Sequence, residues 1–180
     1  MVEPIKDKEK VREIIDYLKV NDMRTAIMFG LGVFCGLRIG DILNLRVRDV
    51  KRKWRLKLKQ KKTGKRADIV LNRELKEMID NYTEDMTDSE YLIKSRKGKN
   101  KPITRQHAYN IMQQIGEVFE IDNIGCHTMR KTFGYHMYVD NKKNIGLVQK
   151  ALGHTSSAST LSYIGIEKEV IDNAVKKIKY

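Results

Sequence analysis

The stretch TAIMFGLGVFCGL, residues 25–37, is uncharged in a chain of 180 residues of which 33% are charged. Ile27, Leu31, Phe34 and Cys35 recur in it at helical spacing, which predicts a helix buried at the centre of the fold. The run is much shorter than the roughly 20 residues that span a bilayer. The sequence therefore predicts a globular protein built around this helix, with no membrane partner.

Amphipathic helices are predicted on both sides of this buried helix. Val11, Ile14, Ile15 and Leu18 stand at i, i+3, i+4 and i+7, which predicts a first helix with one apolar face. Further helices are predicted over residues 40–46, 75–82, 108–115 and 171–178, with N-caps at Thr104, Thr128 and Asn144 and a terminating glycine at Gly153.

Strand periodicity replaces helix periodicity in the middle of the chain. Apolar and basic residues alternate over residues 54–59, so one face of the predicted strand is apolar and the other cationic. Thr63-Gly64 predicts a turn, residues 68–71 a returning strand and residues 91–93 a third strand. The sequence thus predicts an α+β fold that is mostly helical, with a small three-stranded antiparallel β-sheet.

The chain is strongly basic, and its charge is unevenly distributed. It holds 36 Lys and Arg against 23 Asp and Glu, a formal net charge of +13. Residues 51–66 carry ten basic side chains and residues 94–105 carry six, and neither run contains an acid. This pattern favours a surface that faces DNA or RNA over a merely solvated face.

Several classes of protein are excluded by the composition. The first ten residues hold six charged side chains, so we expect no secretion signal. Two cysteines, Cys35 and Cys126, do not make a disulfide scaffold and indicate a reducing compartment, so we expect a cytoplasmic location. Neither CxxC nor HExxH occurs, so no metal site is predicted.

Arg38 follows the buried helix directly, and Asp41 lies three residues later. A guanidinium held at the edge of a core offers a planar set of donors that suits a phosphate, and the carboxylate can orient it. A purely structural Arg–Asp pair is the alternative, and these residues alone leave both interpretations open.

Lys62 lies where the strand pattern gives way to the turn. A lysine at a hairpin tip can reach into a DNA groove, and a partly desolvated lysine can donate a proton. The many neighbouring lysines favour, on local evidence, the alternative of simple attraction to phosphates.

Two histidines, an arginine and a tyrosine complete the candidate set. His127 and Arg130 share a helix face near a predicted helix N-terminus, which favours anions. His154 follows the helix end at Gly153, and Tyr163 lies nine residues later. A tyrosine is a nucleophile only once its phenol loses a proton. Taken singly, the histidine–arginine pair is typical of surface chemistry and the tyrosine of a packed aromatic.

In this order, the six residues resemble the catalytic series of the tyrosine recombinases, the phage-integrase family. The surrounding sequences are also similar to that family: GLRIGDILNL (36–45), QKKTGK (60–65), HTMRKTFG (127–134) and LGHTSSASTLSYIG (152–165). The resemblance runs from about Pro4 to the C-terminus. It implies the tyrosine-recombinase catalytic-domain fold and a site-specific DNA recombinase or integrase.

The resemblance also implies a mechanism. Tyr163 would attack a scissile phosphodiester and form a 3′-phosphotyrosyl link, with no ATP, metal or other cofactor. The other implied roles are phosphate contact by Arg38, Arg130 and His154, protonation of the 5′ leaving oxygen by Lys62, deprotonation of the tyrosine by His127, and support of Arg38 by Asp41.

Double-stranded DNA is therefore the expected partner. The protein is expected to self-associate on DNA as a dimer or tetramer, and accessory proteins are further candidate partners. Lys131 stands where many family members have a second histidine. The predicted DNA-binding residues are Lys57, Lys59, Lys61, Lys65, Arg66, Lys97, Lys99, Lys101, Arg105 and Lys131.

We expect residues 1–180 to form a single catalytic domain, with the core-binding and arm-binding domains of many family members absent. The helical tail, residues 167–180, would dock on a neighbouring subunit or on its own domain. Two other functions stay open: a catalytically silent DNA-binding or regulatory module of the same family, and DNA relaxation of the type IB topoisomerase kind. The family resemblance implies a bacterial, phage or mobile-element origin.

Overall fold

The computed structural model describes residues 2–62 and 64–178, and in this part of the chain ten helices surround one small sheet. Thr63 of the predicted turn and residues 179–180 of the predicted tail lie outside the described residues. The elements are α1 (Lys8–Asn21), α2 (Met23–Cys35), α3 (Ile39–Ile42), α4 (Val47–Val50), β1 (Arg55–Lys59), β2 (Arg66–Val70), α5 (Arg73–Tyr82), α6 (Arg105–Val118), α7 (Cys126–Asp140), α8 (Ile145–Leu152), α9 (Ser157–Tyr163) and α10 (Glu167–Val175).

The predicted buried helix is α2, and it forms the centre of the main core. Ile27, Phe29 and Leu31 are fully buried, and α2 packs against α1, α5 and α7. Gly32 allows the close approach to α7, because a Cβ at Gly32 would lie only 2.4 Å from Cβ of Met129. This packing brings the start of α7 close to the C-terminal end of α2.

A second, smaller core holds α7, α8 and α9 together. Its buried members include Val148, Leu152 and Ile164, and Tyr163 packs against its edge. Gly134 permits this contact, since a Cβ there would lie 2.7 Å from Cγ2 of Ile164. The candidate nucleophile therefore packs against the small core, while Arg38 lies between Leu37 and Ile39 of the large one.

The sheet has two strands, so the predicted third strand at residues 91–93 is wrong. β1 and β2 form an antiparallel hairpin, and Leu56 is buried while the basic residues beside it are exposed, as the alternation predicts. Residues 91–94 run through the core instead. They make two isolated bridges to different neighbours, Arg46 and Pro102, so this segment does not extend the hairpin.

Several helix boundaries also differ from the prediction, and the last predicted helix, residues 171–178, is α10 (Glu167–Val175). The predicted helix over residues 40–46 is the shorter α3, and α4 follows after the extended backbone of Arg46. Thr128 is not the N-cap of α7, because the helix begins at Cys126 and Thr128 Oγ1 accepts the Gly125 N–H at 3.1 Å. The N-caps at Thr104 and Asn144 are confirmed.

The apolar side chains of α10 are not covered by the rest of the chain. Ile171 is 56% exposed and Val175 is 59% exposed, and Ile178, just beyond the helix, is also exposed. Within residues 2–62 and 64–178, no helix combines the length and the hydropathy needed to cross a bilayer.

Candidate active site

Tyr163 is the last residue of α9, and its hydroxyl is buried. The ring meets the His154 imidazole edge to face, with the centroids 4.9 Å apart. Tyr163 Oη forms no well-aligned hydrogen bond in the described part of the chain, but the Arg130 guanidinium lies beside it and favours its ionised form. Burial raises the pKa of Tyr163, while Arg130 and Arg38 act in the opposite direction. A buried phenol beside two guanidinium groups is suited to react with an anion that those cations hold.

Arg130 is only 3% exposed, and its guanidinium bridges the ends of two helices. It donates hydrogen bonds to the carbonyls of Gly36, at the end of α2, and Leu152, at the end of α8. Terminal carbonyls of helices lack partners within the helix and carry partial negative charge, so the guanidinium satisfies both. Burial lowers the pKa of Arg130, and Arg38 lowers it further. The result is a cation held in one position by two helices.

Arg38 lies between α2 and α3 and connects to the hairpin. Its Nη1 donates to Oε1 of Gln60 at 3.4 Å. Gln60 also closes the hairpin, because its N–H donates to the Lys65 carbonyl at 2.8 Å. The first arginine and the hairpin tip are therefore held as one unit.

Asp41 anchors the hairpin tip in this unit. It is 5% exposed, and its Oδ1 accepts the backbone N–H of Lys61 at 2.8 Å. Its other oxygen, Oδ2, is buried without a hydrogen-bond partner in the described part of the chain. In this structure Asp41 therefore supports Arg38 through the hairpin and not through a direct hydrogen bond.

Lys62 lies one residue beyond this anchor, and its side chain is exposed at the hairpin tip. Its positive charge contributes to lowering the pKa of His127, so the tip lies on the same side of the molecule as α7. The position leaves the ammonium free of the core and able to approach a bound strand.

His127 stands in the first turn of α7. Partial burial lowers its pKa, followed by the positive charges of Arg130, Lys131, Arg38 and Lys62. A pKa below the usual 6.5 keeps the imidazole neutral at pH 7, which is the form that accepts a proton.

His154 is fixed by a buried threonine. The Thr160 hydroxyl donates to the Ser156 carbonyl at 2.8 Å, so its oxygen is left to accept the His154 Nδ1–H at 3.2 Å. Burial lowers the pKa of His154, and Arg130 and Arg38 lower it further. With Nδ1 donating to Thr160, Nε2 donates to a phosphate only when the ring is protonated.

Lys131 differs from the other predicted DNA-binding residues because it is buried, with 8% of its surface exposed. Its Nζ lies 5.3 Å from the centroid of the Tyr163 ring. The remaining nine predicted contacts are all exposed, namely Lys57, Lys59, Lys61, Lys65, Arg66, Lys97, Lys99, Lys101 and Arg105.

The second basic run reaches the site through Arg105. A Cβ on Gly40 would lie 2.6 Å from Nη2 of Arg105, so the guanidinium packs directly on α3. The hairpin, α7 and α8 enclose a cleft of about 620 Å³ that is lined by Gln60, Arg130 and His154. Lys65 and Arg66 of the first run thus line this cleft, and Arg105 of the second run lies against α3, the helix that follows Arg38.

Sequence reasoning missed several groups that hold the site together. Gln60 and Thr160 position Arg38 and His154, and the carbonyls of Gly36 and Leu152 position Arg130. Gln60 and Thr160 lie inside the quoted motifs, but nothing in their spacing identifies their partners. Among the described residues, no group of three or more His, Cys, Asp or Glu side chains is arranged to hold a metal ion.

Residues 6–169 match the model of the phage integrase family. The chain belongs to this family. Its relatives include the probable integrase/recombinase YoeC of Bacillus subtilis strain 168, 40% identical over 176 residues that cover 98% of this chain and 96% of that protein. The tyrosine recombinase XerA of Pyrococcus furiosus is 27% identical over 173 residues, which cover 94% of this chain and 60% of that protein.

Solved structures confirm the expected recombinase fold. The crystal structure of XerA recombinase matches with a TM-score of 0.76 and 19% identity, over 100% of this chain and 65% of that one. XerH bound to its palindromic difH substrate, in a post-cleavage complex, matches with a TM-score of 0.75 and 23% identity, over 98% of this chain and 52% of that one. A lambda integrase dimer bound to a core site matches with a TM-score of 0.67 and 18% identity. The match covers 91% of this chain and 47% of that one.

Proposed function

We propose that this chain is a site-specific DNA recombinase that cleaves and rejoins strands through a 3′-phosphotyrosyl intermediate. The buried hydroxyl of Tyr163, beside the Arg130 guanidinium and the His154 ring, carries the proposal. Membership of the phage integrase family supports it. The related XerH was captured on its DNA substrate after cleavage, and we extend DNA cleavage to this chain.

The proposed cleavage is a transesterification. Tyr163 Oη attacks the phosphorus, a P–Oη bond forms and the P–O5′ bond breaks. The phenol proton passes to His127, which is neutral because its pKa is lowered. The departing O5′ takes a proton from Lys62. One phosphodiester replaces another, so a 5′-hydroxyl of a second strand reverses the step without ATP.

Fixed cations stabilise the charge that develops on the phosphoryl oxygens. Arg130 is held by two carbonyls before any substrate binds, so little reorganisation is needed. Arg38 approaches from the hairpin side, and His154 donates from Nε2 once the negative charge of the bound phosphate raises its lowered pKa and favours the imidazolium. These cations supply charge neutralisation that a metal ion supplies in other phosphoryl-transfer enzymes, so the proposed mechanism invokes no metal.

Double-stranded DNA is the proposed substrate. It is bound through the exposed lysine and arginine side chains of the two acid-free runs. As part of the same proposal, the reaction takes place in the cytoplasm. The lambda integrase relative binds its core site as a dimer. We assign the exposed apolar residues of α10 to contact with a second copy of this chain on DNA, since its own domain leaves them uncovered.

A covalent-trapping assay tests this function. A pool of nicked suicide duplexes is incubated with the protein in EDTA and separated on a denaturing gel, and the trapped DNA is sequenced. We expect a covalent adduct enriched in one sequence family. Retarded DNA on a native gel without any adduct would favour the silent DNA-binding module. Relaxation of supercoiled DNA without strand exchange would favour topoisomerase activity.

A further inference from the structure

The candidate nucleophile has a lysine against its ring that the proposed mechanism does not use. Lys131 Nζ lies 5.3 Å from the Tyr163 ring centroid, while the His154 ring meets the same tyrosine at 4.9 Å in an edge-to-face contact. Tyr163 therefore packs against both groups. Lys131 follows Arg130 directly on α7, but Arg130 is held by the Gly36 and Leu152 carbonyls.

We propose that Lys131 is a positioning residue for Tyr163: its side chain, packed against the ring, fixes the ring for attack, and its ammonium stabilises the negative charge that the phenol develops. This inference rests on the proposed function of Tyr163 as the nucleophile. It reassigns Lys131 from contact with DNA, as the sequence predicts, to contact with the reacting side chain.

Burial is the first argument for this role. A lysine that serves only to attract phosphate gains nothing from having only 8% of its surface exposed, because even partial burial lowers the pKa of its ammonium. A cation over an aromatic face recovers part of that cost, and the attraction is stronger when both partners are desolvated. The ring becomes a better partner still when its oxygen becomes negative.

Lys131 and the ionised form of Tyr163 also carry opposite charges that stabilise each other. Burial disfavours the charged form of each alone, since it raises the pKa of Tyr163 and lowers the pKa of Lys131. When the phenol loses its proton in the attack, the pair becomes a buried phenolate beside a partly buried ammonium. Each charge then offsets the desolvation of the other.

Other charged groups around Lys131 and Tyr163 also affect the pKa values of the pair. Arg38 and Arg130 also favour the phenolate, and the exposed Glu3 opposes the loss of the Lys131 proton. His154 faces the Tyr163 ring, and His127 is coupled to Lys131. A neutral residue at Lys131 also removes one of the charges that lower the pKa of His127, so the Tyr163 titration, and not the cleavage rate alone, measures the contribution of Lys131 to the phenol.

The test compares K131M and K131Q, which are neutral, with K131R, which keeps the charge. Tyr163 ionisation is followed by ultraviolet difference titration of each protein against its own Y163F counterpart. We expect K131M and K131Q to move the Tyr163 transition upward by about one pH unit, and K131R to leave it close to wild type. K6M is the matched control, because Lys6 lies 5.5 Å above the ring of a different tyrosine, Tyr135.

Single-turnover cleavage of a suicide duplex across pH 6–10 gives the second readout. We expect K131M and K131Q to slow cleavage about tenfold or more with unchanged DNA affinity, and K131R to restore most of the rate. An unshifted Tyr163 titration in both neutral variants would overturn the proposal, as would equal loss of rate in K131R. Wild-type protein that never cleaves would contradict the proposed function instead, and the titration, which needs no DNA, would still judge Lys131.

Discussion

The carboxylate of Asp41 accepts the backbone N–H of Lys61 at 2.8 Å, which ties the tip of the β-hairpin to α3. Lys62 follows the bonded residue directly, and Arg38 precedes Asp41 by three positions. One buried carboxylate therefore sets the spacing between the proposed proton donor and a proposed phosphate ligand.

Loss of this anchor should slow catalysis without abolishing DNA binding. We expect D41A to reduce single-turnover cleavage by about 100-fold, because a misplacement of about 1 Å has an effect of that size. D41N keeps a carbonyl acceptor for the Lys61 N–H and should lose less. Cleavage rates on a trapped substrate, together with filter-binding affinity, measure both effects. Equal rates for D41A and wild type would contradict the anchoring role.

Arg130 and Arg38 should differ in their effect on stability. R130A leaves two buried carbonyls without their donor, which costs about 1–3 kcal/mol for each unsatisfied group. R38A removes only a long hydrogen bond to Gln60 at a half-buried position. We expect both variants to lose cleavage, but only R130A to lower the free energy of unfolding clearly in urea denaturation. A comparable loss of stability in R38A would show that the roles are not divided in this way.

Stability should fall as the pH drops below about 6.5. The pKa values of His127, His154 and His136 are lowered, chiefly by burial in each case. Between the folded pKa and the unfolded value, the unfolded chain binds more protons, so protonation favours unfolding. Urea denaturation from pH 5 to pH 8 should show this decline. A double variant H127Q/H154Q should show a shallower decline, and an unchanged slope would count against these two histidines.

DNA affinity should depend on salt through the hairpin lysines. Each phosphate contact adds about 0.9 to the slope of log affinity against log salt concentration. We expect the double variant K57Q/K59Q to lower that slope by up to about 2, because two contacts are lost. K10Q is the control, since Lys10 pairs with Glu13 on α1 and lies outside both acid-free runs. An equal change of the slope in K10Q would show that Lys57 and Lys59 attract DNA only through the net charge of the protein and do not contact individual phosphates.

Local pattern was sufficient for much of this fold. The uncharged run at residues 25–37 gave the central helix, and the alternation at residues 54–59 gave the first strand. The strand prediction for residues 91–93 was wrong because a short apolar segment is buried equally well as a strand or as a connection that crosses the core. Its pairing with Arg46 and Pro102 depends on distant parts of the chain.

The sequence predicts the candidate site residues, but it does not predict the contacts that hold them in place. Arg38, His127, Arg130 and Tyr163 stand in recognisable motifs; the charges of Arg38 and Arg130 act on both His127 and Tyr163, and the catalytic roles stay a prediction. The Asp41–Lys61 bond and the burial of Lys131 follow from tertiary packing. A lysine within a basic chain gives no sign, in its sequence, that it lies against a tyrosine ring.

The most direct measurement is the identification of the residue that becomes linked to DNA. Wild-type protein is trapped on a nicked suicide duplex, digested with nuclease and trypsin, and analysed by mass spectrometry, with Y163F treated in parallel. The account predicts a nucleotide mass on the peptide that contains Tyr163, and no adduct from Y163F. An adduct on another residue, or one of equal yield from Y163F, would contradict the assignment of Tyr163 as the nucleophile.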